Sequence, residues 1–257
     1  MYAKLDLTGK VAVVVGGSSG IGRTVALGLA EGGADVVSSA RRIDLVNTLA
    51  DEIEKLGRRS LRITCNVADR SSLEKLLQAC VAEFGKVDIL VNAAGITKRA
   101  PTVDYAEEDW NRIMDTNLTG MLRTCQVFGK HMIERRYGRI ISIASMGSFL
   151  ALFEVAAYSA SKSGVASLTK SLAIEWAKYG ICVNAIAPGY FRTPLSEKLL
   201  VGTGRGREVI MRTPMNRFGE LEELVGAAIF LASDAASFVT GHILPVDGGV
   251  LASAVNQ

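Results

Sequence analysis

Three residues have the types and the spacing that proton transfer requires: Ser145, Tyr158 and Lys162. The tyrosine and the lysine lie four positions apart in "AYSASKSG", so on a helix both side chains project from one face. A phenol has an ordinary pKa of about 10, and an ammonium group fixed beside it stabilises the phenolate and lowers that pKa. The serine stands thirteen residues before the tyrosine, at the end of the strand-like run "GRIISIAS". Because a lone Tyr-x-x-x-Lys pair also occurs on ordinary amphipathic helices, it indicates catalysis only together with other motifs.

A glycine-rich turn provides the second motif. The run "GGSSGIG", from Gly16 to Gly22, follows the apolar stretch "VAVVV" and precedes a helical pattern. Its three spaced glycines, at 16, 20 and 22, permit a tight turn, close approach to a pyrophosphate and packing of the helix on the strand. The helix N-terminus then offers N–H donors and a favourable dipole to an anion. The position of the run between strand and helix therefore predicts dinucleotide binding.

The elements around these motifs alternate along the chain. Short β-branched runs predict seven buried strands, which are "KVAVVVG", "ADVVSSA", "RSLRITCNV", "VDILVNAAG", "RIISIAS", "ICVNAIAPG" and "HILPVDGG". Helical patterns separate most of them, which predicts one α/β domain over 1–257. Its expected form is a single-domain Rossmann fold, a doubly wound, seven-stranded parallel sheet with helices on both faces. The segment 192–214 breaks the alternation after a strand's carboxyl end, so we interpret it as a mobile substrate lid.

Composition excludes several classes of function. In 257 residues the net charge is only +3 and the basic residues are dispersed, so neither nucleic acid nor a membrane is an expected partner. With two histidines, His131 and His242, neither a Ser-His triad nor a multi-histidine metal site is expected, and we predict no metal. Four cysteines without metal or redox spacing indicate a reduced, intracellular protein. No signal peptide is apparent at the N-terminus, so the expected location is cytoplasmic.

These motifs together resemble the short-chain dehydrogenase/reductase family over nearly the whole chain. They are the glycine run, "NAAG", the asparagine of "NLTG", Ser145, Tyr158, Lys162 and the "PG" at 188–189. The resemblance implies an NAD(P)-dependent oxidoreductase that acts on CH–OH groups. Tyr158 would exchange a proton with the substrate oxygen, and Ser145 would hold that oxygen. Lys162 would lower the phenol pKa and bind the nicotinamide ribose, while Asn117 would hold a water that links Lys162 to solvent.

The resemblance also implies the binding contacts. The cofactor would be bound by Gly16, Ser18, Ser19, Gly20, Ile21, Gly22, Arg41, Arg42, Asn66, Val67, Asn92, Ala93, Gly95, Tyr158, Lys162, Pro188, Gly189, Phe191 and Thr193. The substrate would be bound by Ser145, Met146, Tyr158 and Arg99. The sequence departs from the family pattern at Val15, at Ala93 and at Asn66, where threonine, asparagine and aspartate respectively are frequent. None of these departures replaces a catalytic residue.

The end of the second predicted strand decides between NAD and NADP. An NAD-specific site places a carboxylate there for the ribose 2′-hydroxyl. The sequence has "SSARR", with Ala40 at the expected position followed by Arg41 and Arg42, and guanidinium groups suit a 2′-phosphate. Asp44 is the rival carboxylate, but we expect it to begin the next helix, where it favours the helix dipole. NADP (NADPH) is therefore the expected cofactor, and NAD is the alternative.

The substrate class rests on resemblance within the family. The runs "AGITKRAP", "SIASMGSF", "IAPGYFRTP" and "FVTGHILPVDGGVLA" are most similar to gluconate 5-dehydrogenases and related sugar-acid reductases. The implied reaction interconverts a secondary alcohol and a ketone, such as gluconate and 5-ketogluconate. Lys98 and Arg99 could then meet the substrate carboxylate, or they could equally form a solvated basic loop.

Two other functions remain open from the sequence. One is a 3-oxoacyl-(acyl-carrier-protein) reductase, in which Arg136 and Arg139 would meet an acidic carrier protein, although Tyr179 replaces a docking arginine frequent there. The other is a non-catalytic NADP-binding regulatory protein, which the four intact catalytic positions disfavour.

The long helical run "VAAYSASKSGVASLTKSLAIEWAKYG" predicts assembly. It has small residues outside its core-facing side, among them Ala156, Ser163, Ser167 and Ser171. Small residues permit close packing against a symmetry-related helix, and the family commonly forms tetramers through two-fold interfaces. A homotetramer is therefore expected, with a dimer as the alternative.

Overall fold

The parallel sheet at the centre of the molecule has six strands. The structure is a computed structural model that describes residues 2–193 and 200–254. Its strands are β1 (Val11–Val15), β2 (Asp35–Ser39), β3 (Ile89–Asn92), β4 (Gly138–Ile143), β5 (Ile181–Pro188) and β6 (Ile243–Val246). Their order in the sheet is β2-β1-β3-β4-β5-β6, and every pair is parallel. Residues of β1, β3, β4 and β5 are all buried, as expected for a parallel sheet covered on both faces.

Helices cover both faces of this sheet. Within the described residues they are α1 (Gly20–Glu31), α2 (Ile43–Lys55), α3 (Arg70–Phe84), α4 (Glu107–Met114), α5 (Gly120–Arg135), α6 (Ala156–Trp176), α7 (Gly204–Arg212) and α8 (Val225–Ala232). A π-helical turn, Asp115–Thr119, joins α4 to α5. None of the helices in the described part of the chain is both long and apolar enough to cross a bilayer.

The two faces of the sheet have separate hydrophobic cores. On one face α3, α5 and α6 pack on the sheet, where Phe128 and Leu76 are fully buried beside Val13. On the other face α1, α2 and α8 pack on alternate strand residues, with Leu29 and Leu231 in the core. This doubly wound α/β arrangement confirms the predicted fold class.

The prediction of a seventh strand in "RSLRITCNV" is wrong. Only two backbone hydrogen bonds join this segment to β2 and the residue after it, from Val36 N–H to the Arg59 carbonyl (3.0 Å) and from Cys65 N–H to the Ala40 carbonyl (3.1 Å). Between them the Ser39 hydroxyl, not a backbone N–H, donates to a carbonyl of the segment (2.6 Å). The segment is therefore an extended edge without a regular ladder, and its β-branched composition alone did not produce a strand.

The sheet order places the predicted motifs together. The chain passes from β1 to β2 on one side, whereas β3 lies on the other side of β1, with Val15 paired with Asn92. Ligands of open α/β sheets bind outside the carboxyl ends of the strands at such a point of reversal. The glycine turn follows β1 and "NAAG" closes β3, so both lie at this crevice.

The predicted lid, 192–214, is described only in part, because residues 194–199 lie outside the described residues. Its later half contains α7, which begins after Thr203, whose Oγ1 accepts a hydrogen bond from Gly206 N (3.0 Å). Val209 of α7 packs with Phe218 and with half-buried Tyr190. Movement of this segment over a substrate stays a prediction.

Candidate active site

Ser145, Tyr158 and Lys162 lie together at the carboxyl end of β4. Ser145 comes two residues after β4, is 6% exposed, and accepts a hydrogen bond at Oγ from Gly147 N (3.0 Å). Tyr158 and Lys162 project from α6, and Lys162 Nζ lies 5.7 Å from the centre of the Tyr158 ring. The Ser148 hydroxyl donates to the Lys162 carbonyl (2.7 Å), which fastens α6 to the loop after β4. The sequence spacing thus corresponds to one cluster of side chains.

Burial dominates the electrostatics of this cluster. It raises the pKa of the Tyr158 phenol above its ordinary value, and a hydrogen bond with Ser145 lowers that pKa only in part. Burial also lowers the pKa of Lys162 from 10.5 to about 8, because the ammonium group is desolvated. The expected net lowering of the Tyr158 pKa is therefore wrong for this structure, since it omitted the cost of burying both charges. At pH 7 Tyr158 is a neutral phenol, which is the form that donates a proton.

Asn117 lies in the π-helical turn and is 2% exposed. Its side chain pairs with the backbone of Ile96 in both directions, since Oδ1 accepts from Ile96 N (2.8 Å) and Nδ2 donates to Ile96 O (2.9 Å). Nδ2 also donates to Ser161 Oγ on α6 (3.0 Å). The side chain therefore ties the loop after β3 to the catalytic helix. A π-helical turn inside a helix is rare and frequently marks a functional site.

A small cavity lies beside Lys162. Its volume is about 10 Å³, and Asn92, Asn117, Ser142 and Lys162 contribute to its lining. That volume is about the minimum that one water molecule requires. Asn92 Nδ2 donates to Ser142 Oγ (3.3 Å), whereas Asn92 Oδ1 is buried and has no hydrogen-bond partner in the part of the chain that the structure describes. The cavity is therefore both polar and of the size of a water molecule.

The glycine turn has no room for a side chain at three of its glycines, two of which would meet backbone atoms. Gly16 has φ +86°, and a Cβ on it would lie 2.3 Å from Ala94 N, while a Cβ on Gly22 would lie 2.4 Å from Gly16 O. A Cβ on Gly20 would meet open space, so the backbone at that position is accessible. Ser19 is the N-cap of α1 and makes no side-chain capping bond, which leaves the N-terminal N–H groups of the helix for an anion. The turn therefore fits a pyrophosphate.

Cationic side chains follow β2 beside this turn. Arg41 and Arg42 are exposed, and Arg42 Nη2 donates to Ser19 Oγ (3.2 Å). The guanidinium group of Arg42 thus lies directly against the glycine turn. Asp44 lies in the first turn of α2, as the sequence predicted. The residue at the end of β2 that would carry an acid in an NAD site is half-buried Ala40.

The remaining predicted cofactor residues lie at or near the carboxyl ends of the strands. Asn66 forms its own turn, in which Oδ1 accepts from Ala68 N (3.1 Å), and Gly189 N donates to Val246 O beside the end of β5 (2.9 Å). Ser18, Val67, Asn92, Pro188 and Phe191 are buried; Ile21, Ala93 and Thr193 are half-buried; Gly95 is exposed.

The predicted substrate residues differ in accessibility. Met146 is only 2% exposed, so its side chain belongs to the core in this structure. Arg99 is half exposed and its Nε forms an ion pair with Glu154 Oε2 (2.6 Å). Lys98 forms an ion pair with Asp109. The loop after β3 is therefore not simply solvated, because both of its basic residues have acidic partners.

Three groups of this site were missed from the sequence. The Ile143 carbonyl accepts a hydrogen bond from Lys162 Nζ (2.6 Å), and a backbone carbonyl has no sequence signal. Ser161 binds Asn117, and its position next to Lys162 in "YSASK" was a signal that could have identified it. Glu154 pairs with Arg99 across 55 residues of chain, and nothing in its local sequence predicts that contact.

Comparison with known proteins gives one consistent family. A family profile described as enoyl-(acyl carrier protein) reductase matches residues 15–251. The 2-dehydro-3-deoxy-D-gluconate 5-dehydrogenase of Escherichia coli (strain K12) is 42% identical over 253 residues, which are 98% of this chain and 99% of that protein. The gluconate 5-dehydrogenase of Gluconobacter oxydans (strain 621H) is 40% identical over 248 residues, 96% of this chain and 97% of its own.

A solved structure has the same fold. The crystal structure of a gluconate 5-dehydrogenase from Burkholderia cenocepacia J2315, in complex with NADP and tartrate, superposes with a TM-score of 0.93 at 40% identity and covers 98% of both chains. The doubly wound sheet, the glycine turn and the Ser-Tyr-Lys cluster define a dinucleotide-dependent oxidoreductase. The chain belongs to the short-chain dehydrogenase/reductase family, which confirms the resemblance found in the sequence.

Proposed function

We propose that this protein is an NADP-dependent oxidoreductase that interconverts a secondary alcohol and a ketone on a sugar acid, such as gluconate and 5-ketogluconate. The observation that carries the proposal is the grouping of Ser145, Tyr158 and Lys162 at the sheet edge that also holds the glycine turn. Relatives with 40% identity or more over nearly the whole chain are sugar-acid dehydrogenases, which supports the substrate class.

The cofactor assignment rests on the residues around the glycine turn. The turn accepts a pyrophosphate because side chains are absent where the backbone must be approached. Arg42, held against Ser19, and the adjacent Arg41 supply charge for a 2′-phosphate where an NAD site would have a carboxylate. The relative from Burkholderia cenocepacia was crystallised with NADP, which is consistent with this assignment.

The proton chemistry follows from the protonation states. When bound, NADPH supplies the hydride that reduces the ketone carbon. Tyr158, neutral at pH 7, donates its proton to the ketone oxygen, and the Ser145 hydroxyl donates a hydrogen bond to the same oxygen. The ammonium group of Lys162 stabilises the phenolate that remains, and its pKa of about 8 lets it give up and regain a proton near neutral pH. The cavity beside Lys162, with Asn117 at its wall, has the size to hold one water molecule. Such a water would pass the proton between Lys162 and solvent.

The carrier-protein alternative has weaker support from the geometry. Arg139 is 4% exposed, and its Nη2 is paired with Asp234 (3.1 Å), so it cannot reach a partner's surface. Arg136 is exposed but directly follows α5, two residues before β4 begins, at the amino edge of the sheet. The catalytic cluster lies at the carboxyl edge, so neither arginine is placed to guide an acyl carrier to it.

The proposal includes a homotetramer. Ser163, Ser167 and Ser171 form an exposed stripe of small residues on α6, and the nearby Ile174 is 82% exposed. Ala156, at the start of the helix, is half-buried. A flat face of small side chains with an apolar residue suits a symmetric helix pair. Light scattering at micromolar concentration measures the mass, and a monomer would refute the proposal.

A carbonyl panel tests the function directly. NADPH oxidation is followed with 5-ketogluconate, other keto sugar acids and an acetoacetyl thioester, and the sugar acid is expected to have the highest kcat/KM. Tyr158→Phe serves as the control, because it removes one hydroxyl and should retain NADPH binding while losing turnover. Absence of turnover with every carbonyl, together with tight NADPH binding, would instead favour the regulatory protein.

A further inference from the structure

Two loops at the site are joined by Arg99 and Glu154. Arg99 lies in the loop after β3, and Glu154 lies in the loop that leads from the Met146–Ser148 turn into α6. Besides the ion pair, the Ala100 N–H donates to the Glu154 carbonyl (2.9 Å). The Arg99 guanidinium carbon also lies 6.0 Å from the centre of the Phe153 ring. The side chain and the backbone of Glu154 therefore both bind the loop that carries Arg99.

The backbone of Glu154 is held in an unusual conformation. Its φ is +61°, a left-handed conformation that side chains rarely adopt and that a long charged residue does not favour. Such conformations persist where surrounding contacts over-determine them, and they cluster at functional sites. Here the contact that fixes the carbonyl is the Ala100 N–H bond, and the same conformation directs the carboxylate to Arg99. The strained backbone of Glu154 is thus associated with the orientation of the Arg99 guanidinium group.

Only one of the three guanidinium nitrogens of Arg99 is engaged. Nε donates to Glu154 Oε2 (2.6 Å), whereas Nη1 and Nη2 have no hydrogen-bond partner among residues 2–193 and 200–254. A guanidinium group binds a carboxylate through two parallel N–H groups. With Nε held, the terminal pair Nη1 and Nη2 forms a free edge of this geometry. Lys98, in contrast, already has Asp109 as its partner.

We propose that Glu154 is a positioning residue for Arg99, and that it orients the free edge of the guanidinium group toward the substrate carboxylate. This inference rests on the proposed function, because it requires a sugar acid as the substrate. Glu154 itself does not touch the substrate. Its loss allows Arg99 to adopt other rotamers, so part of the binding free energy is spent on ordering the side chain again.

The test compares an acid with its uncharged counterpart. L-Sorbose has the carbon skeleton of 5-ketogluconate with a hydroxymethyl group in place of the carboxylate. We expect Glu154→Ala to raise the KM for 5-ketogluconate about three- to tenfold, as for loss of an ordered charge-assisted contact, and to leave kinetics with L-sorbose unchanged. Glu154→Gln keeps an oxygen for Nε and should bind the acid at least as well as the wild type does. In an Arg99→Ala background, Glu154→Ala should have no further effect.

A matched control and a second measurement accompany the kinetics. Glu83→Ala breaks a comparable ion pair, with Arg59 (2.5 Å), near the amino edge of the sheet, and should change neither substrate's constants. Calorimetric binding of gluconate to the NADPH complex, in which no turnover occurs, should weaken in Glu154→Ala by the same factor as the KM rises.

Each outcome decides the inference. If Glu154→Ala raises the KM equally for both substrates, Glu154 only stabilises the loop. If it leaves the KM for the acid unchanged or lowers it, Glu154 is irrelevant to substrate binding or repels the substrate. Either result overturns the positioning role. If the wild type shows no preference for 5-ketogluconate over L-sorbose, the proposed substrate class fails first and the inference fails with it.

Discussion

Lys162→Met is expected to abolish turnover and to stabilise the fold. Lowering the pKa of Lys162 from 10.5 to about 8 corresponds to roughly 3 kcal/mol by which the folded protein disfavours the charged side chain. Methionine fills a similar volume without the charge. It loses the hydrogen bond to the Ile143 carbonyl, which offsets about 1–2 kcal/mol. The net gain in unfolding free energy is therefore about 1–2 kcal/mol, or a rise in Tm of roughly 3–6 °C for a chain of this size.

Thermal melting of the cofactor-free protein at pH 7 measures this gain. The matched control is Lys75→Met, because Lys75 is exposed in the middle of α3 and its replacement should change unfolding free energy by less than about 0.5 kcal/mol. A Tm of Lys162→Met at or below the wild-type value would refute the reasoning that burial of the ammonium group dominates.

The pH dependence gives an independent check of the sign. Because the folded pKa of Lys162 lies below the unfolded one, the cost of burying the charge is complete below about pH 8 and disappears as the pH rises toward 10.5. The stability advantage of Lys162→Met over the wild type should therefore shrink between pH 8 and pH 10. A constant difference across this window would contradict the assigned cause.

Three further predictions concern the cofactor and the reaction direction. Since the pKa of Tyr158 is raised, alcohol oxidation, which needs the phenolate, should accelerate with increasing pH while ketone reduction does not; parallel pH profiles of the two directions would disagree with this. Arg41→Ala and Arg42→Ala should each weaken NADPH binding about tenfold and leave NADH binding almost unchanged, as measured by nicotinamide fluorescence; equal weakening of both cofactors would make the pair structural. Gly16→Ala should lose cofactor affinity and stability together, because its Cβ would lie 2.3 Å from Ala94 N; near wild-type melting and NADPH titration would argue against this close contact.

The fold was predictable wherever composition and spacing act locally. The six strands of the sheet were found from β-branched runs, and Asp44 was placed correctly because a carboxylate favours a helix start. The edge segment "RSLRITCNV" failed because a ladder depends on its neighbour, and the Ser39 hydroxyl binds a carbonyl of the segment there. A β-branched run without a partner ladder is not a strand.

The sequence identified the residues of the site but not the direction of their pKa shifts. Spacing identified Tyr158 and Lys162, but the direction of their pKa shifts depends on how deeply the folded chain buries them. The π-helical turn at Asn117 and the left-handed backbone of Glu154 depend on tertiary contacts, so neither has a local signature. Contacts between loops that are far apart in the sequence are the part of a site that a single sequence does not reveal.

The loop after β3 has a consequence for binding equilibria. Its backbone lies against Gly16 at Ala94, pairs with Asn117 at Ile96, and then carries Arg99. Any ordering of this loop by the dinucleotide therefore also fixes the guanidinium group. If a substrate binds that group, thermodynamic reciprocity requires the substrate to change dinucleotide affinity by the same factor. The dissociation constant of either ligand therefore depends on the concentration of the other ligand. The values that describe the ternary complex are those measured when the other ligand is saturating.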